Sequence, residues 1–191
     1  MSGTQNRLRG DTTVNVAAMS PVAQQRELIV DITRKALVLG DGSAAPGHYV
    51  SPFAGTWTPT IGGSTTAGTP TYATQEGWYI KIGTLVVAQF RIVLTGAIAG
   101  SPAGVTMLGG LPFTALNVAN SYGVLLAALV SACTHQSGYT QWGGYVQPND
   151  VNGYLCETGS ANSYAQVPIA NVGSGAEIIG LFIYQAASDS D

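Results

Sequence analysis

The chain has 191 residues and a mass of 19.6 kDa, long enough to bury a sizeable core without disulfides or metals. Seven basic and ten acidic residues make up only 9% of it, whereas roughly 25% of an ordinary soluble domain is charged. A mean hydropathy of +0.22 excludes disorder, and apolar runs of about seven residues exclude a membrane-spanning helix, which needs about 18.

The first elements that the sequence predicts form a β-hairpin. Residues 27–32 and 36–39 are strand-like, and residues 33–35 supply the turn between them. Residues 40–42, Gly-Asp-Gly, end the second strand in a tight turn. We expect this hairpin to belong to a small module over residues 1–45, which has too little apolar material to be stable alone.

A linker and a larger domain are predicted to follow. The linker covers residues 46–55, and the domain covers residues 56–191. Eight threonines among residues 54–77 disfavour a helix and favour short extended strands, with Trp57 and Tyr72 as anchoring aromatic residues. The larger domain is therefore expected to begin as β-structure.

A longer hairpin is predicted over residues 78–94. In its first strand Trp78, Ile80 and Ile82 point to one side, and Tyr79 and Lys81 point to the other. After a turn at residues 83–84, the second strand has one wholly apolar face: Val86, Ala88, Phe90, Ile92 and Leu94. We therefore expect one face of this hairpin to lie in a core.

Two later strands are apolar on both faces. Residues 124–130 and 178–184 show no polar alternation, so each side must be covered. No segment of ten or more residues has the periodicity of a helix with a polar face. We therefore expect a second sheet on one side and a neighbouring copy of the chain on the other. This predicts an all-β fold, a β-sandwich or jelly roll, in a homo-oligomer.

The distribution of charge restricts the partners. All seven basic residues lie in residues 1–91, where they alternate with acids, and residues 92–191 contain none. Phosphate contacts need clustered lysines and arginines. We therefore expect no nucleic acid partner and no membrane insertion.

The N-terminal residues and the cysteines indicate the cellular compartment in which the chain is made. No hydrophobic run of signal-peptide length follows Met1, so we expect assembly in a cytoplasm. Cys133 and Cys156 have no CxxC spacing, and we expect packed thiols, with a single bridge as the alternative.

Sequence motifs for catalysis or metal binding are missing. Two histidines, His48 and His135, are too few for a multi-histidine metal site, and no GxSxG or P-loop motif occurs. We expect no metal, no cofactor and no enzymatic activity. Asp150 and Glu157 are the nearest pair of carboxylates for a glycosidase, and we interpret them as loop acids. The tripeptide Arg9-Gly10-Asp11 matches an adhesion motif, but such short matches arise often by chance.

One segment has the composition of a binding surface. Residues 135–166 combine aromatic residues with Gly, Ser, Asn and Gln, which suits the apolar faces and hydroxyl groups of sugars. We expect a glycan-binding site here, with simple packing between hairpins as the alternative for each aromatic residue. The strongest candidate is Trp142, which we expect at a turn because Gly143 and Gly144 follow it. The candidate ligand-binding residues are Trp142, Tyr139, Tyr145, Gln141, Asn149, Asp150, Asn152 and Tyr154.

Two groups of short motifs resemble bacteriophage fibre proteins. The first resembles the N-terminal attachment module of many phage tail and head fibres and comprises residues 8–13 (LRGDTT), 27–31 (ELIVD) and 37–42 (LVLGDG). The second is similar to a repeated pattern in the receptor-binding regions of phage fibres and comprises residues 55–60 (GTWTPT), 77–83 (GWYIKIG), 91–92 (RI) and 110–113 (GLPF). Residues 116–191 match no such pattern, so the resemblance places no binding site.

The resemblance implies a virion spike or fibre, the spikes of phage-like gene transfer agents included. Such a protein would be a homotrimer, attached through its N-terminal module to a capsid or tail protein. It would display a jelly-roll-like β domain that binds a bacterial cell-surface polysaccharide. It would lie on the surface of the virion or particle after assembly in the bacterial cytoplasm. The short chain without a shaft favours a compact head spike or head fibre.

Two other functions stay open at this level. A purely structural capsid decoration or connector would use its apolar surfaces for assembly alone. A depolymerase of capsular polysaccharide would depend on Asp150 and Glu157. We expect host attachment, in which several copies strengthen weak single contacts.

Overall fold

The computed structural model describes residues 9–12, 27–40, 47–160 and 162–188, and the regular secondary structure of these residues is almost entirely β-strand. The strands are β1 (Arg9–Asp11), β2 (Leu28–Asp31), β3 (Ala36–Leu39), β4 (His48–Tyr49), β5 (Phe53–Trp57), β6 (Thr60–Gly63), β7 (Tyr72–Ile82), β8 (Leu85–Leu94), β9 (Thr106–Gly109), β10 (Gly123–Cys133), β11 (Gln141–Val146), β12 (Gly153–Gly159), β13 (Asn162–Gln166) and β14 (Val172–Gln185). A short 3₁₀ turn, Ile169–Asn171, precedes β14. The all-β fold class is therefore confirmed. No helix in these ranges is long and apolar enough to span a bilayer.

The described residues fall into two compact units. The first contains those up to Ala54, together with Ile80–Thr84 and Ser188. The second contains Gly55–Tyr79 and Leu85–Ala187. Residues 46–55, expected to be a linker, contribute β4 and the start of β5, and so take part in strands.

The first unit contains a four-stranded sheet in the order β1-β2-β3-β4. β1 runs parallel to β2, and the β2–β3 and β3–β4 pairs are antiparallel. The predicted hairpin is confirmed, and Lys35 takes the left-handed conformation in its turn (φ 54°). Ile29 and Val38 pair in register and are fully buried. Much of the predicted module over residues 1–45, including most of the turn at 40–42, lies outside the described residues.

A buried carboxylate organises the turn of this sheet. Oδ1 of Asp31 accepts hydrogen bonds from the backbone N–H groups of Thr33 and Arg34, at 3.0 and 2.9 Å. Its Oδ2 accepts a hydrogen bond of 2.7 Å from the Tyr49 hydroxyl. The Arg34 guanidinium lies 5.1 and 4.9 Å from the ring centres of Tyr49 and Phe53. These charge-assisted and cation–π contacts connect β2, β4 and β5.

We expect the first unit to lose stability above pH 10. Burial and the hydrogen bond to Asp31 raise the pKa of Tyr49 from its ordinary 10.0 to about 12. The unfolded chain therefore releases this proton first, so the stability is full below pH 10 and falls as the pH rises toward 12. Urea unfolding of the native chain and of Tyr49→Phe, from about pH 8 to about pH 12, measures the effect. The native chain should lose stability more steeply than Tyr49→Phe above pH 10, and equal slopes would contradict the prediction.

The second unit is built on a ten-stranded sheet. Nine strands follow the order β5-β7-β8-β14-β10-β11-β12-β9-β6, and β13 pairs with β12. The ring of Phe182 on β14 packs against Phe90 and Trp57, with ring centres 5.3 and 6.3 Å away. The same ring fills the space beside Gly153 of β12, although two strands separate β12 from β14. The sheet therefore curls around one core, and its own far strands take the place of the separate second sheet that the sequence predicts.

The hairpin of β7 and β8 differs from expectation on one strand. The predicted apolar face of β8 is confirmed, since its five residues from Val86 to Leu94 are buried. β7 alternates as predicted, but Trp78, Ile80 and Ile82 are about half exposed and Lys81 is fully buried. The Lys81 ammonium donates a hydrogen bond of 2.7 Å to the Ser188 carbonyl, which makes its burial tolerable.

On the two strands that are apolar on both faces, the rest of the chain covers only one face. On β10 and β14, Leu125, Ile178 and Phe182 face the core and are fully buried. The opposite side is referred to below as the apolar outer face, and its large exposed side chains are Leu85, Val124, Leu126, Leu129 and Ile183. It lies on β8, β14 and β10, which pair side by side.

The two cysteines are free thiols, as expected. Cys156 is buried and Cys133 is half-buried. Burial raises the pKa of both thiols, that of Cys156 to about 11. Neither is therefore a reactive thiolate near neutral pH.

Candidate functional site

Four tyrosines meet on the outer side of the curled sheet. Tyr145 of β11 pairs with Tyr154 of β12, and their rings stack with centres 5.5 Å apart. Tyr122 and Tyr164 meet the Tyr145 ring edge to face, at 5.8 and 6.4 Å. Tyr122, Tyr145, Tyr164 and Gln147 line a shallow depression of about 360 Å³. The tyrosine surface is defined here as Tyr122, Tyr145, Gln147, Tyr154, Tyr164 and Gln166.

Strand alternation places these side chains. Val146 is fully buried in the core, so its neighbour Tyr145 faces outward. Tyr164 and Gln166 are two residues apart on β13, which pairs with β12, and they therefore share one face. Tyr122 directly precedes β10, which pairs with β11. The site is thus formed by side chains on, or directly beside, the four strands from β10 to β13.

Hydrogen bonds fix the two central tyrosines. The Gln166 amide donates to the Tyr145 hydroxyl at 2.7 Å, and the Tyr154 hydroxyl donates to Oδ2 of Asp150 at 3.1 Å. Burial raises the pKa of Tyr145 and of Tyr154, and the Asp150 carboxylate raises that of Tyr154 further. Both hydroxyls are therefore uncharged over the physiological range. The outer tyrosines, Tyr122 and Tyr164, are 58% and 63% exposed and offer their ring surfaces to solvent.

Asp150 holds the loop between β11 and β12. Its Oδ1 accepts hydrogen bonds from the N–H groups of Val151 and Asn152, at 2.7 and 3.0 Å, and from the Asn152 amide at 2.9 Å. Asn149 takes the left-handed conformation (φ 60°), which asparagine tolerates in a turn. The structure thus brings together four of the predicted site residues, which are Tyr145, Asp150, Asn152 and Tyr154. A fifth, Asn149, lies in the adjoining turn.

Trp142 lies on the other face of β11. Its register partner is the fully buried Glu157, and its ring stacks on His135 with centres 3.9 Å apart. The turn expected beside Trp142 is wrong, because Gly143 and Gly144 continue the strand and pair with β12. The half-buried Trp142 ring packs against the core and points away from the tyrosine surface.

Tyr139 and Gln141 also lie apart from the tyrosine surface. Gln141 begins β11, four residues from Tyr145, and its side-chain oxygen accepts a hydrogen bond from the Thr158 hydroxyl at 3.2 Å. The backbone of Tyr139 lies beside Gly159, at the far end of β12. The eight candidate residues therefore form two groups, because a β-strand advances by about 3.3 Å per residue and separates the ends of β11.

The two carboxylates considered for a glycosidase support the local structure. The interpretation of Glu157 as a solvated loop acid is wrong, because Glu157 lies on β12 and is fully buried. Its oxygens accept hydrogen bonds from the Gln136 amide at 2.6 Å and lie 2.9 Å from His135 Nδ1. Asp150 is engaged by its own loop and by Tyr154. Glycoside hydrolysis needs both carboxyl groups to face the scissile bond, which the burial of Glu157 opposes. Within the described ranges, no group of three or more His, Cys, Asp or Glu side chains could hold a metal ion.

Four members of the tyrosine surface are missing from the candidate residues named from the sequence, although three of the four lie in the segment 135–166 that the sequence indicates. Two of them carry a usable signal, since Tyr164 and Gln166 are spaced by two in an otherwise polar strand. The other two depend on how β10 pairs with β11, which no local pattern reveals. The four residues are Tyr122, Gln147, Tyr164 and Gln166.

Comparison with known families finds a match at the N-terminus. Residues 7–44 match the family described as the major tropism determinant N-terminal domain. Among curated proteins, none matches the sequence significantly.

The fold of the chain is similar to that of a solved structure, the tailspike protein of Dettilon. The TM-score is 0.56 and the sequence identity is 13%. The similarity covers 73% of this chain and 25% of the tailspike chain. At this identity the likeness shows a shared fold. The family match over residues 7–44 confirms the resemblance to phage receptor-binding proteins that the sequence motifs indicate, and the tailspike adds a shared fold.

Proposed function

We propose that this chain is a receptor-binding protein of a bacteriophage or phage-like particle, and that its tyrosine surface binds a bacterial cell-surface glycan. The similarity of residues 7–44 to a tropism determinant domain and the tailspike-like fold support the first part. The observation that carries the second part is a cluster of four tyrosines, three of which line one shallow depression. The proposed action is attachment without an enzymatic step.

The tyrosine surface offers what a sugar needs from a protein. Sugar rings have apolar C–H faces, which stack on aromatic rings, and hydroxyl groups, which need donors and acceptors. The exposed rings of Tyr122 and Tyr164 supply the first, and the amide of Gln147 supplies the second. Asp150 and Asn152 lie at the rim, where their remaining polar atoms can extend the contact.

We further propose that copies of the chain cover the apolar outer face. In the single chain, Val124 and Leu126 of this face are about half exposed, and contiguous apolar patches mark interaction surfaces. The charged side chains on this face, Arg91 and Glu177, pair with each other at 2.9 Å. The number of copies, three, rests on the resemblance to phage spikes. Light scattering that finds a stable monomer at micromolar concentration would contradict the oligomer.

The N-terminal module is the proposed link to the particle. We assign residues 1–45 to attachment and residues 56–191 to receptor binding, with residues 46–55 between them. The attachment partner would be a capsid or tail protein, and the location would be the surface of a virion, as a compact head spike or fibre. The match of residues 7–44 to a phage domain supports this assignment.

Binding of the assembled protein to bacteria and to an array of purified bacterial polysaccharides tests the function. We expect Tyr122→Ala and Tyr164→Ala each to weaken binding about tenfold, equivalent to about 1.4 kcal/mol. Neither should lower stability, because both side chains are largely exposed. Trp78→Ala is the matched control, an exposed aromatic residue outside the tyrosine surface, and should bind normally.

Other outcomes would identify other functions. If Trp142→Ala abolishes binding and the tyrosine variants bind normally, the site lies around Trp142 on the opposite face of β11. If the assembled protein attaches to nothing and deletion of its gene lowers particle yield, the chain is a structural decoration or connector. Release of reducing ends from purified capsule would show a depolymerase.

A further inference from the structure

We infer that the glycan taken by the tyrosine surface is an uncharged polysaccharide rather than an acidic one. This rests on the proposed function and specifies the class of sugar. Acidic capsules and phosphate-bearing polymers are common alternatives on a bacterial surface, and they differ from neutral polymers in needing cations on the protein. The charges of the second unit decide between the two classes.

The second unit has almost no cations to offer. Its sequence contains one arginine, Arg91, and no lysine, against the four acids Glu76, Asp150, Glu157 and Glu177. Binding of a polyanion depends on several positive side chains that replace its counterions. The balance of charge in this unit opposes such a ligand.

The single arginine is neutralised and lies far from the site. Both Nε and Nη2 of Arg91 contact Oε1 of Glu177 at 2.9 Å. Strand pairing places Val87 of β8 in the same row as Tyr145, through Ile183 and Val124. Arg91 is four residues further along β8, which is about 13 Å along the strand direction. This exceeds the screening length of about 8 Å at physiological salt.

The polar groups at the site itself are neutral or negative. The charged side chain that contacts the tyrosine surface is Asp150, whose carboxylate would repel a uronate, sialate or phosphate. The other groups are tyrosine hydroxyls and the amides of Gln147 and Gln166. These uncharged groups can donate hydrogen bonds to sugar hydroxyls and accept hydrogen bonds from them. Burial raises the pKa of Tyr145 and Tyr154, so both hydroxyls remain uncharged. His135 stacks on Trp142, on the opposite face of β11.

The test is an array that contains uncharged, acidic and free-amine polysaccharides, probed with the assembled full-length chain. We expect binding to uncharged polymers only. The affinity for a bound polymer should change less than about twofold between about 50 and about 500 mM NaCl, because no ion pair forms across the contact. Tyr164→Ala should reduce the same signals about tenfold, which ties them to the tyrosine surface.

The outcomes separate this inference from the proposed function. Binding confined to acidic polymers, with affinity falling more than about tenfold over the same salt range, would overturn the inference and leave glycan attachment standing. Binding confined to amine-bearing polymers such as chitosan would overturn it in the same way. If the assembled chain binds bacteria but no polysaccharide of any class, glycan recognition fails, and the inference fails with it.

Discussion

Replacement of Phe182 by alanine should destabilise the second unit by about 3–5 kcal/mol, the usual cost of removing a buried phenylalanine. The ring is fully buried and touches three parts of the core. It stacks on Phe90 at 5.3 Å, meets Trp57 at 6.3 Å and fills the space beside Gly153. The curl of the sheet depends on this contact, because β12 and β14 do not pair with each other. Urea unfolding, monitored by tryptophan fluorescence, measures the loss.

Two variants control for this effect. Val118→Ala also removes apolar atoms, but its side chain is exposed, and stability should stay within about 0.5 kcal/mol of the native value. Phe182→Leu keeps most of the volume and should cost less than Phe182→Ala. A loss below about 1 kcal/mol in Phe182→Ala would mean that the sheet does not close over this ring.

The hairpin of β7 and β8 shows how far a period-two pattern predicts a fold. On β8 the inward face follows from the sequence, because five alternating positions from Val86 to Leu94 are apolar and gain most from burial. On β7 the period-two pattern predicts which side chains share a face, but it does not predict which of the two faces is buried. Lys81 faces inward because the Ser188 carbonyl, 107 residues away, accepts a hydrogen bond from its ammonium group. A contact of that sequence separation leaves no local pattern.

The strands with two apolar faces show that composition predicts burial without identifying what covers each face. Their composition predicts that both sides are covered, and the structure covers the side that carries Leu125 and Phe182 by curling one sheet. The curl requires close approach at Gly153, where any side chain would meet the Phe182 ring. The outer side with Val124 and Leu126 stays uncovered in the chain, and its partner belongs to the proposed oligomer.

The candidate site is predictable in composition and only partly in geometry. The segment rich in tyrosine and amides is visible in the sequence, and it contains Tyr145, Tyr154 and Tyr164. The division between Tyr145 and Trp142 is not visible, because it depends on whether the intervening glycines form a turn or a strand. The two glycines pair with β12 and therefore continue the strand. Trp142 and Tyr145 are three residues apart on this strand, so their side chains lie on opposite faces.

Those two glycines provide a matched pair of substitutions with opposite expected results. Gly144→Ala should cost about 1–3 kcal/mol or more, since the new methyl group has no space. It would overlap the carbonyl oxygen of Tyr154 and lie 2.7 Å from Cδ2 of Leu125. The strand must then move away from β12, which separates the stacked rings of Tyr145 and Tyr154. Glycan binding should therefore weaken at temperatures where the variant is still folded.

Gly143→Ala supplies the control from the adjacent position of the same strand. A Cβ at Gly143 would meet nothing within 4 Å, and its backbone does not have a positive φ. Alanine should therefore be neutral or stabilise the fold by up to about 1 kcal/mol, because it restricts the unfolded chain. Thermal unfolding of the two variants, measured beside glycan binding, compares them directly. Equal stability of both variants would show that β11 does not lie against β12 in the register that forms the tyrosine surface.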